Sequence, residues 1–119
     1  MLKEYLNKVV LQLSAALNNV ADNDVYKAGC IQYFEFCFEI SWKYLQQILL
    51  DEGIKCNSPK SCIRSAYKIN LINNEEVWLD MLNDRNIMSH TYDAGDAMEI
   101  FGRLKIYQPE FQNLLTQIT

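Results

Sequence analysis

Between Asn83 and Tyr92 the chain reads Asn83-Asp84-Arg85-Asn86-Ile87-Met88-Ser89-His90-Thr91-Tyr92, and it places a guanidinium five residues before the only histidine of the protein. Those two groups suffice for one reaction that needs no metal. When the 2′-hydroxyl of RNA attacks its own neighbouring phosphate, a base must take the hydroxyl proton and a fixed positive charge must steady the crowded phosphorane. His90 and Arg85 supply one each. Asn86 lies four residues before His90 and can orient the imidazole, while Ser89 shares the arc that holds Arg85. Most other chemistries lack their parts. There is no Gly-x-Gly-x-x-Gly, no Gly-Lys-Ser/Thr loop, no His-Glu-x-x-His and no Gly-x-Ser-x-Gly in the sequence.

These residues close a helical pattern. Val77, Trp78, Met81, Leu82 and Met88 share one arc at 3.6-residue spacing, and Arg85 falls in its middle. A guanidinium cannot shed its charge, so an arginine centred on an apolar face needs a carboxylate, a phosphate or an interface. Arg85 and His90 are about 140° apart on an ideal helix, a gap that the length of arginine and an unwinding helix end can bridge. The same pair also has a plain structural reading, because Arg and His near a helix C-terminus complement its dipole. Spacing alone does not separate the two.

Five helices are expected to position this segment. Leu2, Tyr5, Leu6, Val9, Val10, Leu13, Ala16, Leu17 and Val20 repeat at steps of three and four, giving a first helix to about Asn19. Ala21-Asp22-Asn23-Asp24 supplies turn and cap chemistry for a second helix from about Val25 to Glu52, stopped by Gly53. That helix carries apolar residues over a wide arc and should be central. Gln32, Glu35, Glu39, Lys43 and Gln46 form one polar stripe along it, either wetted or facing a cleft or partner. Glu39 and Lys43 make a favourable i,i+4 pair, whereas Glu35 and Glu39 repel. Ser58-Pro59 opens a third helix, Asn73-Asn74-Glu75-Glu76 a fourth and Asp93 a fifth, which Pro109 should kink or split. No segment alternates as a strand. The expected fold is an all-α, antiparallel up-and-down bundle of four to five helices, a single domain over residues 1–119.

Composition sets the surroundings. Half of the 119 residues are apolar, enough for one core, and four Gly with two Pro leave too few turns for a many-stranded sandwich. Eleven Lys and Arg against fifteen Asp and Glu give a net charge of −4, which excludes nucleic-acid binding through a broadly basic surface and limits RNA to a small cleft near Arg85. No apolar run approaches the roughly twenty residues of a membrane span. No signal peptide or anchor is evident, so a cytoplasmic protein is expected, without membrane contact. Its four cysteines are expected to be reduced and structural, Cys30 and Cys37 being two turns apart on one helix and Cys56 and Cys62 flanking a turn. One histidine gives a zinc site little to draw on, and neither metal nor cofactor is expected.

Arg85-Asn86-x-x-x-His90-x-Tyr92 resembles the Arg-x4-His-x-Tyr motif of the HEPN superfamily, the higher eukaryotes and prokaryotes nucleotide-binding domains, as in HepT toxins of MntA–HepT systems. Phe34-Glu35-Phe36-Cys37-Phe38-Glu39-Ile40-Ser41-Trp42-Lys43, taken with Arg85 to Asp93, is similar to the group called nucleotidyltransferase substrate-binding proteins, and the resemblance spans nearly the whole chain. It implies a homodimer of helical bundles encoded beside a small nucleotidyltransferase that binds it. In the toxin branch it implies metal-independent RNA cleavage in a cleft across the dimer, with His90 as general base or acid, Arg85 as phosphate and transition-state stabiliser and Asn86 as orienter. Tyr92 matches the tyrosine that the antitoxin nucleotidyltransferase adenylylates, which would add bulk and negative charge beside the phosphate site. Glu39 and Lys43 become candidates for the cleft wall, with Glu35 and Ser89 as further cleft or partner contacts. The substrate-binding branch implies a different class of function, in which a non-catalytic helical subunit completes the nucleotide or acceptor site of its partner. Toxicity on expression alone separates the two.

Overall fold

Four of the five helices begin where a short polar side chain takes the first unpaired amides, and the first, which starts after Met1, has no side-chain cap. In the computed structural model, which describes residues 1–19, 22–90 and 93–118 and all their side chains except those of His90 and Ile118, there are five helices and, among the described residues, no strand. Helix α1 spans Leu2–Asn18, α2 Asp24–Asp51, α3 Pro59–Lys68, α4 Glu75–His90 and α5 Ala94–Ile118. Asn23 Oδ1 accepts from Tyr26 N at 2.8 Å to cap α2, Asn74 Oδ1 from Val77 N at 3.2 Å to cap α4, and Asp93 Oδ1 from Gly95 N at 2.8 Å and Asp96 N at 3.0 Å to cap α5. Ser58 and Ser61 form a reciprocal box at α3, with Pro59 in the first turn where its missing N–H costs nothing. At the end of α2, Gly53 takes φ +80° and the Ile54 amide returns to the Leu49 carbonyl at 2.8 Å.

Helix α2 packs against all four of the others, as its wide apolar arc requires. Leu6, Val10 and Leu13 of α1, Phe34, Phe38, Leu45 and Leu49 of α2, Ile63 of α3, Trp78 and Met81 of α4 and Leu104 and Phe111 of α5 form one shared core without solvent contact. Aromatic rings bind the centre together: Phe34 stacks on Tyr107 with centroids 5.3 Å apart, and Trp78 meets Phe111 edge-on at 5.5 Å. The all-α expectation therefore holds, with five helices.

One expectation narrows, the split at Pro109 falling away from the kink or split foreseen there, and another needs correction. Pro109 does not split α5, which runs unbroken through it. The proline removes the amide that would have met the Lys105 carbonyl, but both residues are exposed, so water can serve that carbonyl instead. The cysteines are not all thiols. Cys56 and Cys62 are joined by a disulfide, their Cα atoms brought to 5.2 Å where the chain turns into α3, while Cys30 and Cys37 are free and buried. Burial in the apolar core pushes the Cys37 thiol up to about 12, so it stays protonated and inert. No described helix is long and apolar enough to cross a membrane. Val20, Ala21, Thr91, Tyr92 and Thr119 lie outside the described residues.

Candidate functional site

Arg85 owes its position to the residue before it. Asp84 is 3% exposed, and its carboxylate accepts from Arg103 Nε and Nη2 of α5, both at 2.8 Å, and from the Tyr107 hydroxyl at 2.5 Å. This two-pronged pair bolts α4 to α5 and fixes the rotation of α4. One residue later, about 100° around the helix, Arg85 must then face α2. Burial, and then the Asp84 carboxylate it donates to, hold the Tyr107 phenol above its ordinary range, and the Arg103 guanidinium is held more firmly protonated by its hydrogen bond to Asp84.

The Arg85 guanidinium lies half-buried between the two helices. Nη2 forms an ion pair with Glu39 Oε1, Nη1 donates to Asn86 Oδ1 at 3.0 Å, and the guanidinium carbon sits 6.0 Å from the Phe38 ring centroid. The Trp42 indole N–H holds the other Glu39 oxygen at 3.2 Å. Glu39 is therefore paired with Arg85, and not with Lys43 one turn along its own helix. Lys43 is exposed and lines a separate depression of about 470 Å3 with Trp42, Gln46 and Cys56. Ser89 turns its hydroxyl back onto its own helix, donating to the carbonyls of Arg85 at 3.1 Å and Asn86 at 3.2 Å. His90 is the last residue of α4; its side chain, like all of Tyr92, lies outside the described residues.

Beyond Arg85, toward the C-terminus of α4, the helices part. A cleft of about 450 Å3 opens there between the first half of α2 (Ala28, Ile31, Gln32, Glu35), Met88 of α4 and the first turns of α5 (Ala97, Met98). Part of the polar stripe of α2 thus faces a cleft. Glu35 is half-buried on its wall; burial raises its carboxyl above the ordinary value, the Arg85 charge pulls it back and Glu39 pushes it up again. At the other end of the stripe Gln46 is structural, donating to the Cys56 carbonyl at 2.8 Å. Among the described residues, no three of His, Cys, Asp and Glu converge in a way that could hold a metal ion.

Of the residues that the sequence grouped, the structure joins Arg85 to Asn86 and to Glu39 and sets Glu35 on the cleft wall, whereas Lys43 lines a separate depression, Ser89 bonds back to its own helix, and the His90 side chain and Tyr92 lie outside the described residues. Sequence reasoning missed Asp84, Arg103 and Tyr107. Asp84 lies in the same segment, and the signal that could have flagged it is the arc it shares with the apolar residues Met81 and Ile87.

A five-helix bundle with an arginine pinned near the end of its fourth helix is an arrangement that known proteins share. The family model described as "Nucleotidyltransferase substrate binding protein like" matches residues 3–119. A Haemophilus influenzae protein described as probable ribonuclease HepT is 33% identical over 100 residues, covering 80% of this chain and 68% of that protein. Among solved structures, one from Thermus thermophilus superposes with a TM-score of 0.86 at 32% identity, covering 94% of this chain and 97% of its own. Another, from Haemophilus influenzae, is described as revealing the fold of a substrate binding domain of a nucleotidyltransferase. It gives a TM-score of 0.87 at 27% identity and covers 97% of both chains. The chain belongs to the nucleotidyltransferase substrate binding protein-like family.

Proposed function

We propose that this chain is the helical subunit of a nucleotidyltransferase pair and acts as a metal-independent endoribonuclease of the HepT kind. The observation that carries the reading is Arg85, a permanent cation wedged half-buried against Glu39 and the Phe38 ring, five residues before the histidine that ends the same helix. A 33% identical relative described as a probable ribonuclease supports it. In this mechanism the RNA 2′-oxygen attacks the adjacent phosphorus and the 5′-oxygen leaves, so a 2′,3′-cyclic phosphate and a 5′-hydroxyl result. His90 takes the 2′-hydroxyl proton or returns one to the departing 5′-oxygen, and Arg85 holds the phosphoryl oxygens as charge builds on them. Asn86 steadies the Arg85 guanidinium through its carbonyl oxygen and keeps an amide N–H2 to offer the imidazole. Two copies form the working unit, and the partner nucleotidyltransferase silences it by transferring AMP from ATP to the Tyr92 phenol with loss of its proton and release of pyrophosphate, the added negative charge then repelling a phosphate.

The purified chain should cut RNA in EDTA and leave 2′,3′-cyclic ends. Arg85→Ala and His90→Ala should each lower the rate by about 100-fold or more, in line with loss of a charge stabiliser or a general acid–base. Incubation with the partner and ATP should add AMP mass to the peptide carrying Tyr92. Equal cleavage by the His90 variant would remove the catalytic assignment.

One observation favours a second reading. Glu39 already neutralises Arg85, as suits a subunit that binds without catalysis and completes the nucleotide or acceptor site of its partner. That reading expects a stable complex with the nucleotidyltransferase, no RNA cleavage and no growth arrest when the chain is expressed alone.

A further inference from the structure

We infer that the cleft between α2, Met88 and the start of α5 is a base pocket selective for guanine, with Glu35 and Gln32 reading the Watson–Crick edge. The placement rests on the proposed function in one respect: it sets the phosphate of the same nucleotide at Arg85.

Several features of the cleft lead to a flat, hydrogen-bonding ligand. Its volume of about 450 Å3 is that of a small-molecule site. Ala28, Ile31 and Ala97 give it apolar walls, and Met88 and Met98 bring polarizable thioethers that suit the face of a heteroaromatic ring. Met98 is 61% exposed, an open apolar surface at the cleft rim.

The polar groups then choose among the bases. Gln32 and Glu35 are three residues apart, hence neighbours on one helix face, and both line the cleft. Neither side chain makes a hydrogen bond among the described residues. Arg85 is the cation in electrostatic reach of Glu35, but its guanidinium is committed to Glu39 and Asn86. Asp24 and Lys27 also line the cleft, but the Lys27 ammonium is drawn to Asp22 at 3.4 Å and lies over the Phe101 ring, so at Glu35 and Gln32 the wall offers an acceptor-only carboxylate with two oxygens beside an amide that can donate. Guanine presents the complement, two adjacent donors at N1 and N2 for the carboxylate and the O6 acceptor for Gln32. Adenine turns the lone pair of N1 toward the carboxylate. Cytosine does the same with N3, and uracil has a single donor between two acceptors. Only guanine satisfies both carboxylate oxygens at once, and the charge on the acceptor strengthens both bonds.

The test is a titration of the intact chain, in EDTA, with GMP, AMP, CMP and UMP by isothermal calorimetry and by amide shifts in NMR. GMP should bind at least tenfold more tightly than the other three, with shifts centred on residues 28–35 and 97–98. Glu35→Gln, which keeps size and helix propensity, should weaken GMP about tenfold or more and erase the preference, while Gln32→Ala should weaken it less. Equal binding of all four nucleotides, no binding, or an unchanged GMP affinity in Glu35→Gln overturns the proposal. So does a dimer in light scattering that falls apart on Met98→Glu, since a second copy would then fill the cleft. Failure here leaves the ribonuclease reading standing if EDTA-resistant cleavage persists without base preference. Selective GMP binding without any cleavage has the reverse meaning.

Discussion

Because the Arg85 guanidinium keeps its charge at every accessible pH, the carboxylate against it decides how much of that charge a phosphate meets. Glu39 and Arg85 are both about one-third exposed or less, 31% and 27%, so their attraction is screened less than that of a surface pair. RNA entering the site has to compete with Glu39 or draw Arg85 off it. Glu39→Gln removes the competing charge but keeps an oxygen for the Trp42 indole, so the fold should stand. Affinity for a short single-stranded RNA, measured on a His90→Ala background so that nothing is cut, should rise roughly fivefold, equivalent to about 1 kcal/mol. An unchanged affinity would mean that Glu39 holds Arg85 in the complex as firmly as without RNA.

At the level of the elements, the clamp that aims Arg85 is testable apart from any activity. Asp84→Asn leaves Arg103 facing a neutral amide and should lower stability to urea by about 2–3 kcal/mol. That is less than a fully buried pair would lose, since the Arg103 side chain is 39% exposed. Tyr107→Phe should cost about 1 kcal/mol at pH 7. The phenol is held above its ordinary value when folded, so its contribution is whole below about pH 10, where an unfolded tyrosine begins to ionise, and drains away as pH rises further. The Phe variant should therefore lose less stability than the wild type above pH 10, and parallel curves would assign the alkaline loss to other groups. This clamp was hidden in the sequence, while the helices were not. Caps at Asn23, Ser58, Asn74 and Asp93 act within three residues, so the order of residue types reveals them. Asp84 and Arg103 are nineteen positions apart on different helices, and the arc that Asp84 shares with Met81 and Ile87 points to its burial but not to its partner. The same holds for Glu39, whose visible partner was Lys43 and whose actual one stands on α4. The Cys56–Cys62 bridge depends on how closely the chain turns into α3, which composition does not disclose.

For the whole molecule, a charge of −4 leaves little surface that would attract RNA, so most of the exterior is available to protein partners. The proposed homodimer needs a face, and α2 offers one. Val25, Phe36 and Leu50 are 83%, 45% and 60% exposed. At 100° per residue they fall within about 40° of one another, a line that runs along almost the whole helix for roughly 37 Å. Exposed Lys43 and Gln47 interleave with them, a mixture typical of interfaces that also tolerate water. Phe36 stands in the stretch between Glu35 and Glu39, so a second copy docked on this line would bring its own Arg85 site close to the first. The wild-type chain should run as a dimer by multi-angle light scattering at micromolar concentration. Phe36→Glu, which buries a charge at the centre of that line, should give a monomer with unchanged far-UV circular dichroism. If the cleft must be completed by the second copy, the monomer should also lose RNA cleavage, and mixing it with Arg85→Ala dimers should not restore it. A dimer that survives Phe36→Glu would move the interface to another face.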